Sequence, residues 1–235
     1  MTKHSASMPI RSSKAKEVGE EFRTVVLGRG GVLDVMLPPL MFLLANALAG
    51  SSAAMLAALV TSGGLVLFRL LRHQSVVYAL FGLGASLLAL ILAQLLQRTE
   101  VFFLPDMITN LALAAGSLLS VALRRPLVAW TSHLVRRWPR DWYWHPRVRP
   151  AYTEVTLAWA VYFLAQALLQ LSVFQLREAT YLAALGLFTG WPATVVLLIL
   201  TYLYGTWRLA RLAGPSVDEF RTQAAPPWTG QRRGF

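Results

Sequence analysis

The acidic and histidine side chains of this 235-residue chain are spread in a pattern that does not favour an enzyme. The four histidines lie in a tail or between hydrophobic stretches, and no two have the spacing of zinc ligands. The acids are equally scattered, and only Asp34 and Asp106 fall inside the hydrophobic stretches, each near a start where it is expected to be an end group of the helix. Because there is no cysteine, disulfides, thiolate metal sites and cysteine nucleophiles are excluded. The sequence therefore predicts no catalytic residue, no metal site and no cofactor.

Arginine and tryptophan are concentrated in residues 124–154, which hold seven arginines and four of the eight tryptophans. Pro126 can begin a helix. The apolar positions that then recur with helical spacing are Leu127, Trp130, Leu134 and Trp138. Near anionic headgroups each arginine is worth about 1 kcal/mol, while tryptophan and leucine enter the acyl boundary. We therefore predict an amphipathic helix over residues 126–138 in the membrane interface.

The residues predicted to contact anionic lipid are Arg124, Arg125, Trp130, Arg136, Arg137, Trp138 and Trp142. An alternative is that the apolar face of this helix packs on the ends of the protein's own helices. The sequence leaves both interpretations open.

Helix-breaking residues could open a path for a solute. The principal ones are Pro38, Pro39, Gly190 and Pro192. Broken helices can expose backbone groups to a substrate near the membrane midplane. They are also ordinary kinks, because neighbouring helices satisfy the freed carbonyls. Since ion coupling usually needs an ionisable group in the membrane interior, the pattern predicts no ion-coupled transport. Whether the breaks line a cavity or only pack stays open.

Six hydrophobic stretches supply the elements that carry these residues. They are residues 32–49, 52–71, 76–96, 105–123, 155–176 and 180–207. Each can cross a hydrocarbon core of about 30 Å as a helix. The chain is 56% hydrophobic and 14% charged, whereas a soluble domain is about 25% charged. We therefore predict an all-α integral membrane protein with six transmembrane helices and an interfacial helix after the fourth.

The basic residues predict the orientation of these helices. Of the 22 lysines and arginines, all but Arg98 and Arg177 fall in the two tails and in the second and fourth connections. Because cytoplasmic loops retain basic residues, both termini are predicted to be cytoplasmic. The same rule accounts for the net charge of +11, so no nucleic-acid partner is expected. The predicted parts are a basic cytoplasmic tail (1–30), a six-helix domain (31–211) and a cytoplasmic tail (212–235), and neither tail is expected to bury a core.

Several short motifs occur in an order that resembles a known family. They are Leu33-Asp34, Leu37-Pro38-Pro39, Phe102-Phe103-Leu104-Pro105, Arg125-Pro126-Leu127 and Leu157-Ala158-Trp159-Ala160-Val161-Tyr162-Phe163. The chain resembles the intracellular septation protein A family of bacterial inner-membrane proteins, and more closely an actinobacterial branch of six-span proteins of unknown function. The positions of the more specific motifs are Pro126, Leu127, Leu157, Ala158, Trp159 and Phe163. The resemblance implies a non-enzymatic role in envelope maintenance or in cell elongation and division, with no ligand to carry over.

We therefore expect a multi-pass protein of a bacterial cytoplasmic membrane with a structural or interaction role in the cell envelope. The expected partners are the bilayer, anionic lipids, membrane proteins of the division or elongation machinery, and further copies of the chain. The alternative is a small-solute transporter or channel component whose path runs among the helix breaks. An enzyme acting on lipid is a third interpretation. A transporter or an enzyme needs a polar cavity that reaches the midplane, whereas a scaffold can be packed dry.

Overall fold

The computed structural model describes residues 31–73, 77–231 and 234–235. The predicted basic tail, residues 1–30, lies outside the described residues. Every regular element in the described part is helical, which confirms the all-α prediction for that part. The α-helices are α1 (Gly31–Leu71), α2 (Val77–Leu95), α3 (Leu104–Ala122), α4 (Leu127–Arg136), α5 (Arg140–Trp144), α6 (Arg149–Phe174), α7 (Ala179–Thr189), α8 (Trp191–Leu212) and α9 (Val217–Arg221). A 3₁₀ helix, Thr99–Phe103, precedes α3.

Four helical segments are long and apolar enough to cross a membrane. They are Leu37–Leu71, Thr99–Ala122, Arg149–Phe174 and Ala179–Leu212. The apolar part described for α2, Leu83–Leu95, is shorter. The first and last segments, at 35 and 34 residues, would exceed 50 Å as straight helices, at about 1.5 Å per residue. Both are interrupted, because Gly50 within α1 and Gly190 between α7 and α8 leave helical geometry.

The break in α1 lies at Gly50 and not at the two prolines. Pro38 and Pro39 were predicted to interrupt the first stretch, and this prediction is wrong, since the helix continues through both. Membrane helices tolerate proline because neighbouring groups satisfy the freed carbonyls. Gly50 instead has φ 81° and ψ 176°, a conformation that residues with a side chain rarely adopt. The chain changes direction there.

Two groups of buried side chains hold the helices together. The first, which we call the Phe cluster, contains Phe42, Ala54, Met55, Ala58, Ala93, Val101, Ala179 and Ala183. Phe102 and Phe103 pack against it, with ring centroids 5.8 and 5.3 Å from that of Phe42. The second, the Trp cluster, contains Ala129, Trp142, Tyr143, Val148, Ala151, Tyr152, Leu209 and Val217. Thus α1, α2 and α7 meet in the Phe cluster, and α4, α5, α6, α8 and α9 meet in the Trp cluster.

Helix α6 runs between the two clusters. Phe174 at its end packs against the Phe cluster, and Tyr152 near its start belongs to the Trp cluster. Helix α3 lies antiparallel to α6. Near one end of the pair, the Asn110 amide donates to Gln170 Oε1 over 3.2 Å. Near the other end, the N–H of Val128, in the first turn of α4, donates to Thr156 Oγ1 of α6 over 3.2 Å.

The segment after α8 is part of the packed structure, so the prediction of a tail without a core is wrong for its described residues. Helix α9 begins with a capping box, in which the Ser216 hydroxyl and the Glu219 carboxylate accept each other's backbone N–H. Val217 is buried in the Trp cluster, and Phe220 and Phe235 pack against it. A few large apolar side chains, spaced far apart, are enough to dock this polar segment.

Candidate membrane-interface site

Helix α4 turns its apolar face outwards. Leu134 and Val135 are 72% and 84% exposed, and Trp130 is 37% exposed. The opposite face is buried, since Ala129 and Ser132 point into the protein and the Ser132 hydroxyl lies 3.2 Å from Tyr143 Oη. In a soluble protein the apolar face of a helix packs inwards. Within the described part of the chain, no element covers the apolar face of α4.

The start of α4 is fixed by two neighbouring helices. Pro126 is its N-cap residue and is fully buried. The backbone N–H of Leu127 donates to Ser120 Oγ of α3 over 3.0 Å, and the next N–H donates to α6, as described above. These bonds satisfy donors that a helix start otherwise leaves free. The helix ends where Arg137 adopts a left-handed conformation with φ 55°. Its position relative to α3 and α6 is therefore well defined.

Two arginines are held against tryptophans beside the apolar face, of which Trp130 is exposed and Trp144 is half-buried. The Arg125 guanidinium lies 4.5 Å from the centre of the Trp144 ring, and that of Arg140 lies 6.0 Å from the centre of Trp130. The two indole rings are 5.8 Å apart. Such cation–π contacts are worth about 0.5–1 kcal/mol at exposed sites. We call Arg125, Trp130, Arg140 and Trp144 the Arg–Trp surface. Its cations and apolar rings can contact an anionic headgroup and the adjoining acyl chain together.

Only part of the predicted lipid-contact set belongs to this surface. Arg124 and Arg137 are exposed, as are Arg125 and Trp130. Trp142 is completely buried, and its indole N–H donates to the Pro215 carbonyl over 2.8 Å. The prediction that Trp142 faces lipid is therefore wrong. The reason is that α5 begins after Pro139 and turns the chain, so that Trp142 enters the core.

Arg136 and Trp138 also point towards the protein. Arg136 Nε donates to the backbone carbonyl oxygen of Phe235 over 3.0 Å. The Trp138 ring lies 5.2 Å from that of Trp142 in an edge-on arrangement. Conversely, the predicted set omits Arg140 and Trp144. Their four-residue spacing on a short helix was the available signal, because it places both side chains on one face.

Beside the Trp cluster, burial shifts two titratable groups. Burial raises the pKa of Tyr143 above its usual value, so this hydroxyl stays protonated at neutral pH. Burial, together with the charge of Arg147, lowers the pKa of His145. His145 is therefore neutral near pH 7, and its ring packs edge-on against Trp228 at 5.2 Å.

The break at Gly190 is filled by polar side chains of α6. Tyr162 Oη lies 2.8 Å from the Thr189 carbonyl and 3.0 Å from the Gly190 carbonyl. The Gln166 amide also donates to the Thr189 carbonyl. Pro192 lies in the first turn of α8, where its missing N–H costs little. The carbonyls of Thr189 and Gly190 at the break therefore accept hydrogen bonds from α6.

A second polar contact joins α3 to α6 near the Phe cluster. Asp106, predicted as a charge at a helix start, lies in the first turn of α3. Its carboxylate also accepts from Gln170 of α6. Asp34, predicted to lie near the start of the first span, is among the residues whose side chains are not described. Across the described residues, no three acidic or histidine side chains are grouped as metal ligands would be.

The motif positions fall on α4 and α6. Pro126 and Leu127 begin α4 and meet α3 and α6 there. Trp159 and Phe163 pack together on α6 at 5.6 Å, whereas Leu157 and Ala158 are exposed. Pro126, Trp159 and Phe163 therefore mark helix packing, and the six positions include no cluster of reactive groups.

Comparison with known proteins gives one match. A family described as "Protein of unknown function (DUF3159)" matches residues 27–210. No curated protein and no solved structure matches the chain. The matched region runs from before α1 almost to the end of α8, and it includes the whole Arg–Trp surface. Because it covers well over half of the chain, this protein belongs to the DUF3159 family.

Proposed function

We propose that the protein is a non-enzymatic, six-span component of a bacterial cytoplasmic membrane whose cytoplasmic side binds anionic lipid. The observation that carries this proposal is the outward apolar face of α4 beside two arginines stacked on tryptophans. An apolar face this exposed suits the acyl boundary, and the guanidinium groups suit the phosphates just above it. An anionic lipid carries both an acyl chain for the apolar face and a phosphate for the arginines.

Six spans are supported by the geometry around Gly50. Phe42 and Ala58 belong to one cluster, although a straight helix would place them about 24 Å apart along its axis. A reversal of direction at Gly50 brings them together and makes α1 two spans. Beyond the reversal, the hydroxyl groups of Ser62 and Ser86 lie 3.4 Å apart between α1 and α2. Helix α2 has 19 residues, which span about 28 Å, close to the hydrocarbon thickness.

The proposed orientation is supported by where the arginines lie. The guanidinium group of Arg98 packs 5.5 Å from the ring of Phe174, beside the Phe cluster. Most of the other described arginines lie at the Trp-cluster end. By the positive-inside rule the Trp cluster is cytoplasmic and the Phe cluster faces outwards.

A role in the cell envelope rests on the resemblance to septation protein A and on the order of its motifs. Partners in this role are the elongation or division proteins of the membrane, or further copies of the chain. The alternative of a solute transporter draws on the Gly190 break. Tyr162 and Gln166 donate hydrogen bonds to the carbonyls that would otherwise be available to bind a substrate. This favours the interaction role.

The test is retention of anionic lipid by the full-length protein. Protein purified from mixed phosphatidylglycerol and phosphatidylcholine vesicles is analysed for bound lipid by native mass spectrometry. Arg125→Gln should lower the retained phosphatidylglycerol about threefold to tenfold, since each guanidinium near the surface is worth about 1 kcal/mol. Arg221→Gln is the matched control, because Arg221 is exposed on α9 and outside the Arg–Trp surface. Equal retention by Arg125→Gln and Arg221→Gln would refute the proposal.

A further inference from the structure

We call residues 222–235 the strap, and its described residues fold back from α9 onto the Trp-cluster end. Residues 222–231 and 234–235 of the strap are described. The Thr229 N–H and hydroxyl both donate to Glu219 Oε1 over 2.9 Å, and Gln231 Oε1 accepts from the Val217 N–H over 3.1 Å. Trp228 packs against the Arg147 guanidinium at 5.6 Å. The strap is thus fastened at several points before its last described residues.

At the end of the strap, the Phe235 ring fills a notch between α6 and α8. It stacks on Tyr152 with ring centroids 4.4 Å apart and planes 9° from parallel. On the other side, the ring lies so close to Gly205 of α8 that a Cβ there would overlap it. Gly234, at φ +76°, is packed against Arg136 and Trp138 where a Cβ would also be crowded. Two glycines therefore make the room that the ring and its backbone occupy.

The notch recognises two chemical features of its occupant. Its walls are an aromatic face and a glycine surface, which suit a flat ring. Its rim carries Arg136, whose Nε donates to the Phe235 carbonyl over 3.0 Å. The guanidinium group is therefore placed to bind an oxygen-bearing anion whose ring occupies the notch.

We propose that this notch is a binding site for an aromatic anion and that the strap is its built-in competitor. An aromatic carboxylate or sulfonate would place its ring on Tyr152 and its charge on Arg136. Because the strap is tethered, it competes as though present at a concentration in the millimolar range. A ligand is bound only when it displaces Phe235. The notch lies on the inward side of α4, so this inference is independent of lipid binding at the Arg–Trp surface.

The test uses the full-length protein in phosphatidylcholine nanodiscs, with 1-anilinonaphthalene-8-sulfonate as the fluorescent aromatic anion and empty nanodiscs as the background. Phe235→Ala should expose one saturable site with an apparent Kd at least about tenfold lower than that of the unmodified protein, because the competing state is removed. Adding Arg136→Gln to Phe235→Ala should weaken that site about tenfold.

Matched variants separate the notch from general exposure of apolar surface. In the Phe235→Ala background, Gly205→Leu should fill the notch and abolish the site, whereas Thr206→Leu on the next residue of α8 should preserve it. Near-ultraviolet circular dichroism confirms that each variant is folded. If Gly205→Leu does not fold, the Arg136→Gln arm decides alone. A Phe235→Ala protein without a saturable site, or a site unaffected by both Gly205→Leu and Arg136→Gln, would overturn the inference.

Discussion

The bend between α7 and α8 depends on one residue without a side chain. At Gly190 the backbone has φ −72° and ψ −108°, and a Cβ there would overlap the carbonyl oxygen of Gly186. Tyr162 and Gln166 of α6 donate hydrogen bonds to the Thr189 and Gly190 carbonyls at the bend. Together these contacts fix the angle at which α8 leaves α7 and passes beside α6.

We expect Gly190→Ala to destabilise the protein by about 1–3 kcal/mol, because the added methyl group must displace backbone. Thermal unfolding in detergent, followed by circular dichroism, measures the loss. Gly186→Ala is the matched control, since a Cβ at Gly186 meets nothing within 4 Å. A control variant as unstable as Gly190→Ala would contradict the steric explanation.

The sequence predicted side-chain positions best for residues that lie on the same face of a single helix. The helical spacing of Leu127, Trp130 and Leu134 correctly grouped them on a single face of α4. The same spacing could not predict the positions of Trp138 and Trp142. Helix α4 ends at Arg137, and α5 begins in another direction. Periodicity identifies a face only as far as the helix continues.

Helix α9 is the element that fastens the strap. Glu219, within its capping box, accepts the N–H of Ser216 over 2.8 Å and both donors of Thr229. The backbone hydrogen bond from Ser216, followed by that from Thr229, lowers the pKa of Glu219 from 4.5 to about 2. A lowered folded-state pKa means that this contact stabilises the fold fully above pH 4.5 and is lost as the pH falls through about 2.

We expect the Glu219 carboxyl carbon to titrate near pH 2 in selectively labelled full-length protein, as measured by ¹³C NMR and assigned with Glu219→Gln. Thr229→Pro removes the N–H and hydroxyl donors and should raise the midpoint towards 4.5. Thr222→Val, which removes a hydroxyl that donates to the backbone carbonyls of Asp218 and Glu219 and not to the Glu219 carboxylate, should leave it unchanged. A midpoint near 4.5 in the unmodified protein would show that the strap is not fastened by this carboxylate.

At the scale of the whole molecule, the proposed six-span topology makes a clear prediction for surface labelling. The chain has no cysteine, so single cysteines can be placed at exposed positions. Cysteines at Ser52, Gln97 and Arg177 should react with an impermeant maleimide on spheroplasts. Cysteines at Arg124 and Asp218 should react only after lysis. Protection of Ser52 before lysis would exclude a reversal of α1 at the outer surface.

Composition and hydropathy were sufficient to predict a helical chain with membrane-spanning segments, because long apolar runs have few other folds available. They were insufficient for residues 212–235. There the docking depends on Phe220, Trp228 and Phe235, which are too far apart to form a periodic pattern and are diluted by polar neighbours. The sequence also misplaced the break in α1. Whether a helix continues through a proline depends on contacts with neighbouring helices, which the local sequence does not show.

Helix α6 gives the molecule a stiff axis. It has 26 residues, a length of about 39 Å, and no glycine, and its one proline lies in the first turn. One end is pinned in the Phe cluster and the other in the Trp cluster, beside the notch that holds Phe235. The interior of α6 therefore has none of the Pro or Gly residues at which helices usually kink. Because α6 is continuous, we expect a tilt of its Phe-cluster end to shift Tyr152, the wall on which Phe235 rests.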